Sequence, residues 1–146
     1  MKRLILIIAL LPTLALAEVS VYHGLATTHL FMDNTHLNND NGVTAIRVND
    51  IVFGRMKNTY KESGYFAGYM PKIVDRGRIE INLGAMYIEG YRRKQVFIYR
   101  QTGDLDEHVI VVAPSLSASI DITEGIAIQG VLMAGFVANA GIRFDF

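Results

Sequence analysis

The chain contains no cysteine, which excludes disulfides and thiolate metal sites and leaves stability to backbone pairing and side-chain burial. Beyond its N-terminal segment it also lacks any run near the roughly 18 to 20 uninterrupted apolar residues of a spanning helix, although 51% of its residues are hydrophobic. Helical membrane spans are therefore excluded. There is no excess of basic charge either: 14 Lys and Arg face 14 Asp and Glu, a balance that gives no reason to expect nucleic acid as a partner. The four histidines, His23, His29, His36 and His108, are scattered without metal-ligand spacing, so no metal and no other cofactor is expected.

What is present begins with Met1-Lys-Arg3, leading into an uncharged apolar run from Leu4 to Ala17 that closes on Ala15-Leu16-Ala17. These are the n-region, h-region and small-residue cleavage site of a secretory signal. Residues 1–17 are expected to be a signal peptide and residues 18–146 one domain. Cleavage would remove Lys2 and Arg3 and leave a slight acidic excess. Two architectures suit an exported chain without helical spans. One is a soluble β-domain in the periplasm, and the other is a barrel whose lipid-facing residues alternate with polar lumen residues.

Period-two alternation bounded by Gly, Asn, Asp and Pro marks eight strands, near Val19–Phe31, Gly42–Asn49, Ile51–Thr59, Tyr65–Ile73, Arg78–Tyr91, His108–Asp121, Gly125–Phe136 and Ala140–Phe146. With the N-terminus in the periplasm, the connections 32–41, 60–64, 92–107 and 137–139 fall outside. The first three of these four are longer than any of the inward connections 49–50, 74–77 and 122–124. Short periplasmic turns with longer external loops mark small outer-membrane barrels, and a soluble sandwich predicts no such asymmetry. An even strand number also returns Phe146 to the periplasmic side, and closure removes exposed edges. The expected fold is all-β: a monomeric, eight-stranded, antiparallel, up-and-down transmembrane barrel in a Gram-negative-type outer membrane.

The faces follow from the same parity. Ile79, Ile81, Leu83, Ala85 and Tyr87 oppose Glu80, Asn82, Gly84 and Met86, while Ile142, Phe144 and Phe146 oppose Arg143 and Asp145. Arg47, Arg55, Glu80, Arg143 and Asp145 are expected to form an interior charged cluster, paired because an unpaired buried charge costs several kcal/mol. His23 shares a face with His29 by simple alternation and is expected in the lumen. Tyr22, Tyr60, Tyr65, Tyr69, Tyr87 and Tyr91 are divided between interfacial girdles and the lumen. Tyr91-Arg-Arg-Lys94 with Arg100 is basic and Asp104, Asp106 and Glu107 are acidic, so this loop either meets lipopolysaccharide phosphates or pairs with itself.

The segment Met56-Lys-Asn-Thr-Tyr60 followed by Gly64-Tyr-Phe-Ala-Gly-Tyr69 resembles the third-to-fourth strand region of PagP-type lipid A palmitoyltransferases and their small-barrel relatives. Ile81-Asn-Leu-Gly-Ala85, Val111-Val-Ala-Pro-Ser-Leu-Ser117 and Ile142-Arg-Phe-Asp-Phe146 are similar to later strands of that family, in the same order. The resemblance implies outer-membrane lipids, lipopolysaccharide or phospholipid, as partners. It also matches three candidate catalytic positions: His29 to the family's His, Asn58 to its Asp and Thr59 to its Ser. Thr59 keeps a hydroxyl, whereas Asn58 lacks the charge that would orient an imidazolium. The first strand begins almost directly after the cleavage site, without room for the amphipathic helix of the enzymes. Asp33 and Asp40 are possible substitutes for the missing carboxylate.

Each of these residues also has a structural reading. His29, Asn58 and Thr59 at strand ends can cap backbone groups at the membrane edge. Pro114 removes one ladder N–H. By the resemblance it would open a lateral path for lipid, and otherwise it marks a bulge or strand end. Two function classes follow: a non-enzymatic or lipid-binding barrel acting at the cell surface, and a lipid A acyltransferase moving an acyl chain from phospholipid to lipid A.

Overall fold

The computed structural model describes residues 17–30, 37, 40–92, 107–134 and 137–146. The expected signal peptide falls, apart from Ala17, outside the described residues. So do the basic and acidic residues of the loop between Arg92 and Glu107, together with Asp33 and His36. Among the described residues nine strand segments occur in order: β1 (Val19–His29), β2 (Thr44–Val48), β3 (Ile51–Lys57), β4 (Ser63–Tyr69), β5 (Lys72–Arg76), β6 (Ile79–Arg92), β7 (His108–Thr123), β8 (Ile126–Met133) and β9 (Val137–Asp145). Every pairing is antiparallel, and the order β4-β3-β2-β1-β9-β8-β7-β6-β5 is closed by a β4–β6 pairing. β4 and β5 share one position in the circle, both against β6. The result is a closed barrel of eight strand positions, as the alternation predicts.

The break between β4 and β5 has a chemical cause. Pro71 has no N–H to donate, and a register shift follows between Lys72 and Val74. The gap is bridged by Met70 N–H to Asp50 O at 2.7 Å and Leu83 N–H to Pro71 O at 3.2 Å. The strand continues to Arg76, so its turn is Gly77-Arg78 rather than the broader 74–77 connection expected. Connections at one end of the barrel are residues 49–50, 77–78 and 124–125, and at the other 30–43, 58–62, 93–107 and 134–136. Short turns face the periplasm in outer-membrane barrels, which assigns the second end to the cell exterior.

Ile46, Phe53, Ile79, Leu83, Ile120 and Ile128 project outward, Ile120 with 58% of its surface exposed. An apolar exterior of this extent is unfavourable in water and favourable in lipid. Among the described residues no helix is long and apolar enough to cross a membrane; the strands do so instead. The barrel is therefore of the outer-membrane type. The inner face changes character along its axis. Nearest the turns is a charged layer, then Ser20, Asn82, Ser117 and Ser119. Beyond them is an apolar core that includes Tyr22, Val52, Phe66, Met70, Met86 and Met133.

Glu80 centres the charged layer. Its Oε1 accepts from Arg47 Nη1 at 2.6 Å, Arg143 Nη1 at 2.9 Å and Asn82 Nδ2 at 2.8 Å. Arg143 Nε also meets Asp145 Oδ1 at 2.8 Å, and Lys72 Nζ meets Glu18 Oε2 at 2.6 Å. Arg47, Glu80, Arg143 and Asp145 thus form the expected cluster, but Arg55 does not. The two-residue turn pairs Arg47 with Val52, and cross-strand partners share a face. Even-numbered residues of β3 therefore point inward, and Arg55 is exposed on the outer surface.

His23 also lies outside, contrary to its expected lumen position. The β1–β9 register shifts between Gly24 and Ala26, and this bulge exchanges the faces of the strand. Ser20 and Tyr22 point inward before it, Thr27 and His29 after it. Asn139 secures the bulge by donating to Ala26 O at 3.0 Å and Thr27 Oγ1 at 2.6 Å and accepting from the Tyr22 hydroxyl. Gly24 leaves room for it, since a Cβ there would collide with the Asn139 carboxamide. The last strand consequently begins at Val137 instead of Ala140: Asn139 reads as a turn residue but is a buried lumen side chain.

Replacing Glu80 by Leu removes the acceptor shared by the buried Arg143 and the partly buried Arg47, so the unfolding free energy in phospholipid vesicles is expected to fall by about 3–5 kcal/mol. Urea titration followed by far-ultraviolet circular dichroism measures this, and an unchanged midpoint would exclude a stabilising role for the cluster.

Candidate functional site

The polar residues at the loop end meet because of the β1 bulge. With the strand face exchanged, His29 at the end of β1 is directed into the barrel and is only 2% exposed. Its Nε2 lies 3.1 Å from Thr59 Oγ1, just beyond β3 in the 58–62 connection. Thr59 Oγ1 in turn lies 3.4 Å from the Tyr91 hydroxyl near the end of β6. Tyr60 packs edge-to-face on Tyr91, their ring centroids 6.5 Å apart. A chain of imidazole, aliphatic hydroxyl and phenol therefore spans the inner rim between β1, β3 and β6.

Asn58, fully buried, is adjacent in sequence but has a different task. Its Oδ1 accepts from the backbone N–H groups of Tyr60 at 2.8 Å and Glu62 at 3.0 Å, and its Nδ2 donates to Gly90 O at 2.6 Å. Its own backbone N–H donates to Glu62 O at 2.7 Å, and its C=O accepts from Lys61 N–H at 3.0 Å. Asparagine side chains readily replace a turn's missing backbone partners in this way. Here the carboxamide both folds the short loop and ties it to β6. Lys61, at φ +68°, supplies the left-handed residue of that loop, and Arg92 Nε holds Glu62 Oε1 at 3.0 Å beside it.

The imidazole–hydroxyl distance suits proton transfer between His29 and Thr59. Asp40 is exposed next to Asn41, and Asn41 is buried with its Oδ1 lacking any hydrogen-bond partner. Among the described residues no group of His, Asp and Glu is placed to hold a metal ion.

Pro114 stands lower on the wall. It faces outward on β7 opposite Ala85. Pairing of β7 with β8 covers Ser115 to Thr123 only, ending with Ala134 N–H donated to Pro114 O at 2.7 Å. Among the described residues, His108 to Ala113 pair with β6 alone. Pro114 therefore marks the point where the β7–β8 seam stops. Inside lies an apolar cavity of about 50 Å³, lined by Tyr22, Val52, Phe66, Met70, Met86 and Met133 among others. Along their strands, Met56, Ile88, Ala113 and Val137 lie between this cavity and the rim.

Tyr91 and Asn41 were missed as site residues. Parity from Glu80 sends odd-numbered β6 residues outward, but a register shift between Ile88 and Tyr91 restores Tyr91 to the rim. Periodicity carries no signal for such a shift, and none for the burial of Asn41.

No protein-family model matches the chain, and no curated protein does. Among solved structures it is similar to the outer membrane protein Ail of Yersinia pestis in a phospholipid bilayer nanodisc. The identity is 12% over 89% of this chain and 99% of that one, with a TM-score of 0.44. It is also similar to Neisserial surface protein A, at 13% identity over 89% of this chain and 96% of that one, with a TM-score of 0.35. A mutant porin of Rh. blastica matches 74% of this chain and 35% of its own, at 19% identity and a TM-score of 0.27. The closed circle of hydrogen-bonded strands, not these likenesses, establishes the barrel.

Truncating Asn58 to Ala is expected to speed amide hydrogen exchange at Tyr60 and Glu62 and to cost about 1–3 kcal/mol, because it strands buried backbone groups. Asn58→Asp keeps the acceptor and should retain more of that protection. Unaltered exchange in the Ala variant would contradict the loop-folding role.

Proposed function

We propose that the protein is exported through its 1–17 segment and acts at the cell surface as a non-enzymatic or lipid-binding barrel of the PagP-like type. The observation that carries this reading is the engagement of Asn58. The family resemblance matches this position to a catalytic aspartate, but here it holds an amide whose oxygen and nitrogen both bond loop backbone. A carboxamide so placed serves architecture and carries no charge with which to stabilise an imidazolium. The lumen supports the same conclusion. Its cavity of about 50 Å³ is well below the roughly 150 Å³ that admits a benzene-sized ligand, and a long acyl chain needs far more.

The second reading, a lipid A acyltransferase, is supported by the 3.1 Å contact between His29 and Thr59. The end of the described β7–β8 pairing at Pro114 is compatible with the lateral entry that such an enzyme needs. In that reading His29 takes the proton from a hydroxyl as it attacks the phospholipid ester carbonyl. The acyl chain passes to lipid A and the lysophospholipid leaves. Thr59 lies beside the reacting hydroxyl.

Mass spectrometry of lipid A from cells with and without the protein separates the two. The expected result is an unchanged acyl count. An added chain that disappears in His29→Ala, with a loss of about 10²–10⁴-fold in rate as for removal of a general base, would overturn the non-enzymatic reading.

A further inference from the structure

The lipid-facing surface of β1 to β4 carries a row of polar side chains that neither function explains. His23 is paired with Thr44, Thr44 with Arg55, and Arg55 with Tyr65. Cross-strand partners share a face with Cβ atoms about 4.5–5.5 Å apart. His23 Nδ1 lies 3.2 Å from Thr44 Oγ1. Lys57 is the next outward residue of β3, about 7 Å nearer the loop end at the usual rise per residue. Arg55 and Lys57 are both exposed, and among the described residues neither takes part in an ion pair. Toward the turn end, Ile46 and Phe53 are paired and exposed. With Thr44, Arg55 and Tyr65 they bound an open groove of about 440 Å³.

One residue beyond the Phe66–Ile88 pair, exposed Glu89 follows Tyr65 and ends the row on a carboxylate. Farther round, the exposed residues toward the loop end are Tyr87 on β6 and His108, Ile110 and Val112 on β7. A cation on the lipid face costs about 2–4 kcal/mol at the midplane and about 0–1 near the interface, and headgroup depth is where the pair would cost least. There the complementary group is an anion. Arginine grips phosphate with two parallel N–H bonds, lysine adds a point charge, and the Tyr65 and Thr44 hydroxyls offer further donors.

We propose that this surface binds a phosphate-bearing glycolipid of the outer leaflet. Its phosphate is held by Arg55 and Lys57, and one acyl chain lies in the groove along Ile46 and Phe53. The site rests on the orientation and cell-surface placement above, and on neither enzymatic nor non-enzymatic action. It fixes the barrel within its lipid neighbourhood and gives the sector between β1 and β4 a defined lipid partner.

The test is native mass spectrometry of the folded protein taken from phosphatidylethanolamine vesicles containing bis-phosphorylated lipid A, or the same lipid A stripped of phosphate. Retention of the phosphorylated form is expected. It should fall about tenfold in the double variant Arg55→Gln/Lys57→Gln, the scale of one charge-assisted hydrogen bond. Arg76→Gln/Arg78→Gln, which removes two exposed cations at the turn end, should leave it unchanged. Equal retention of the dephosphorylated lipid, or no loss in the Arg55/Lys57 double variant, would overturn the proposal. Because lipid is present in both leaflets, the measurement does not depend on orientation in cells, and it counts bound lipid rather than acyl chains.

Discussion

Lipid offers no hydrogen bonds, so each peptide N–H and C=O in the membrane must find a partner within the protein. The eight strand positions can satisfy that demand only by closing, and every local irregularity of this barrel is shaped by the same constraint. Pro71 breaks the fourth position, and β6 is paired with both halves. The bulge at Gly24–Ala26 leaves the Ala26 carbonyl to be satisfied, and the Asn139 carboxamide fills the place. Among the described residues, pairing between β7 and β8 ends at Pro114, a residue with no N–H to lose.

The same constraint separates what the sequence reveals from what it hides. Strand number, order and the faces of β6 and β9 follow from period-two alternation, because a side chain on the wrong side of a membrane barrel meets the wrong solvent. A register shift is invisible to that rule. One extra residue in β1 sends His23 outward and His29 inward, and another between Ile88 and Tyr91 brings the tyrosine to the rim. Arg55 is misplaced for a related reason: its face is set by the pairing of Arg47 with Val52 across a two-residue turn, not by its chemical likeness to other buried arginines. Asn139 resembles a turn former, yet its side chain completes a bulge more than a hundred residues away in sequence.

The lumen is a graded filling rather than a pore. Glu80 binds two arginines at the turn end, methionines and aromatics pack the middle, and His29, Thr59, Tyr91 and Asn58 close the loop end. The candidate site was legible as a set of residues, since His29 and Thr59 do meet. The part played by Asn58 was not, because its partners are backbone groups of its own loop and of β6. Its carboxamide holds the loop backbone at Tyr60 and Glu62 and the β6 carbonyl of Gly90. The outer surface is equally uneven, with Arg55 and Lys57 on β3 and exposed Tyr87, Ile110, Val112, Leu116, Ile120 and Ile128 across β6 to β8.

The orientation of the barrel places all of this chemistry and can be measured directly. With no native cysteine, single reporters at Lys61→Cys in the 58–62 loop and Arg78→Cys in the 77–78 turn can be labelled with a membrane-impermeant maleimide in intact cells. Labelling at position 61 without permeabilisation, and at position 78 only after it, is the expected result. The reverse pattern, or labelling of both in intact cells, would contradict a closed barrel with its histidine rim at the cell surface.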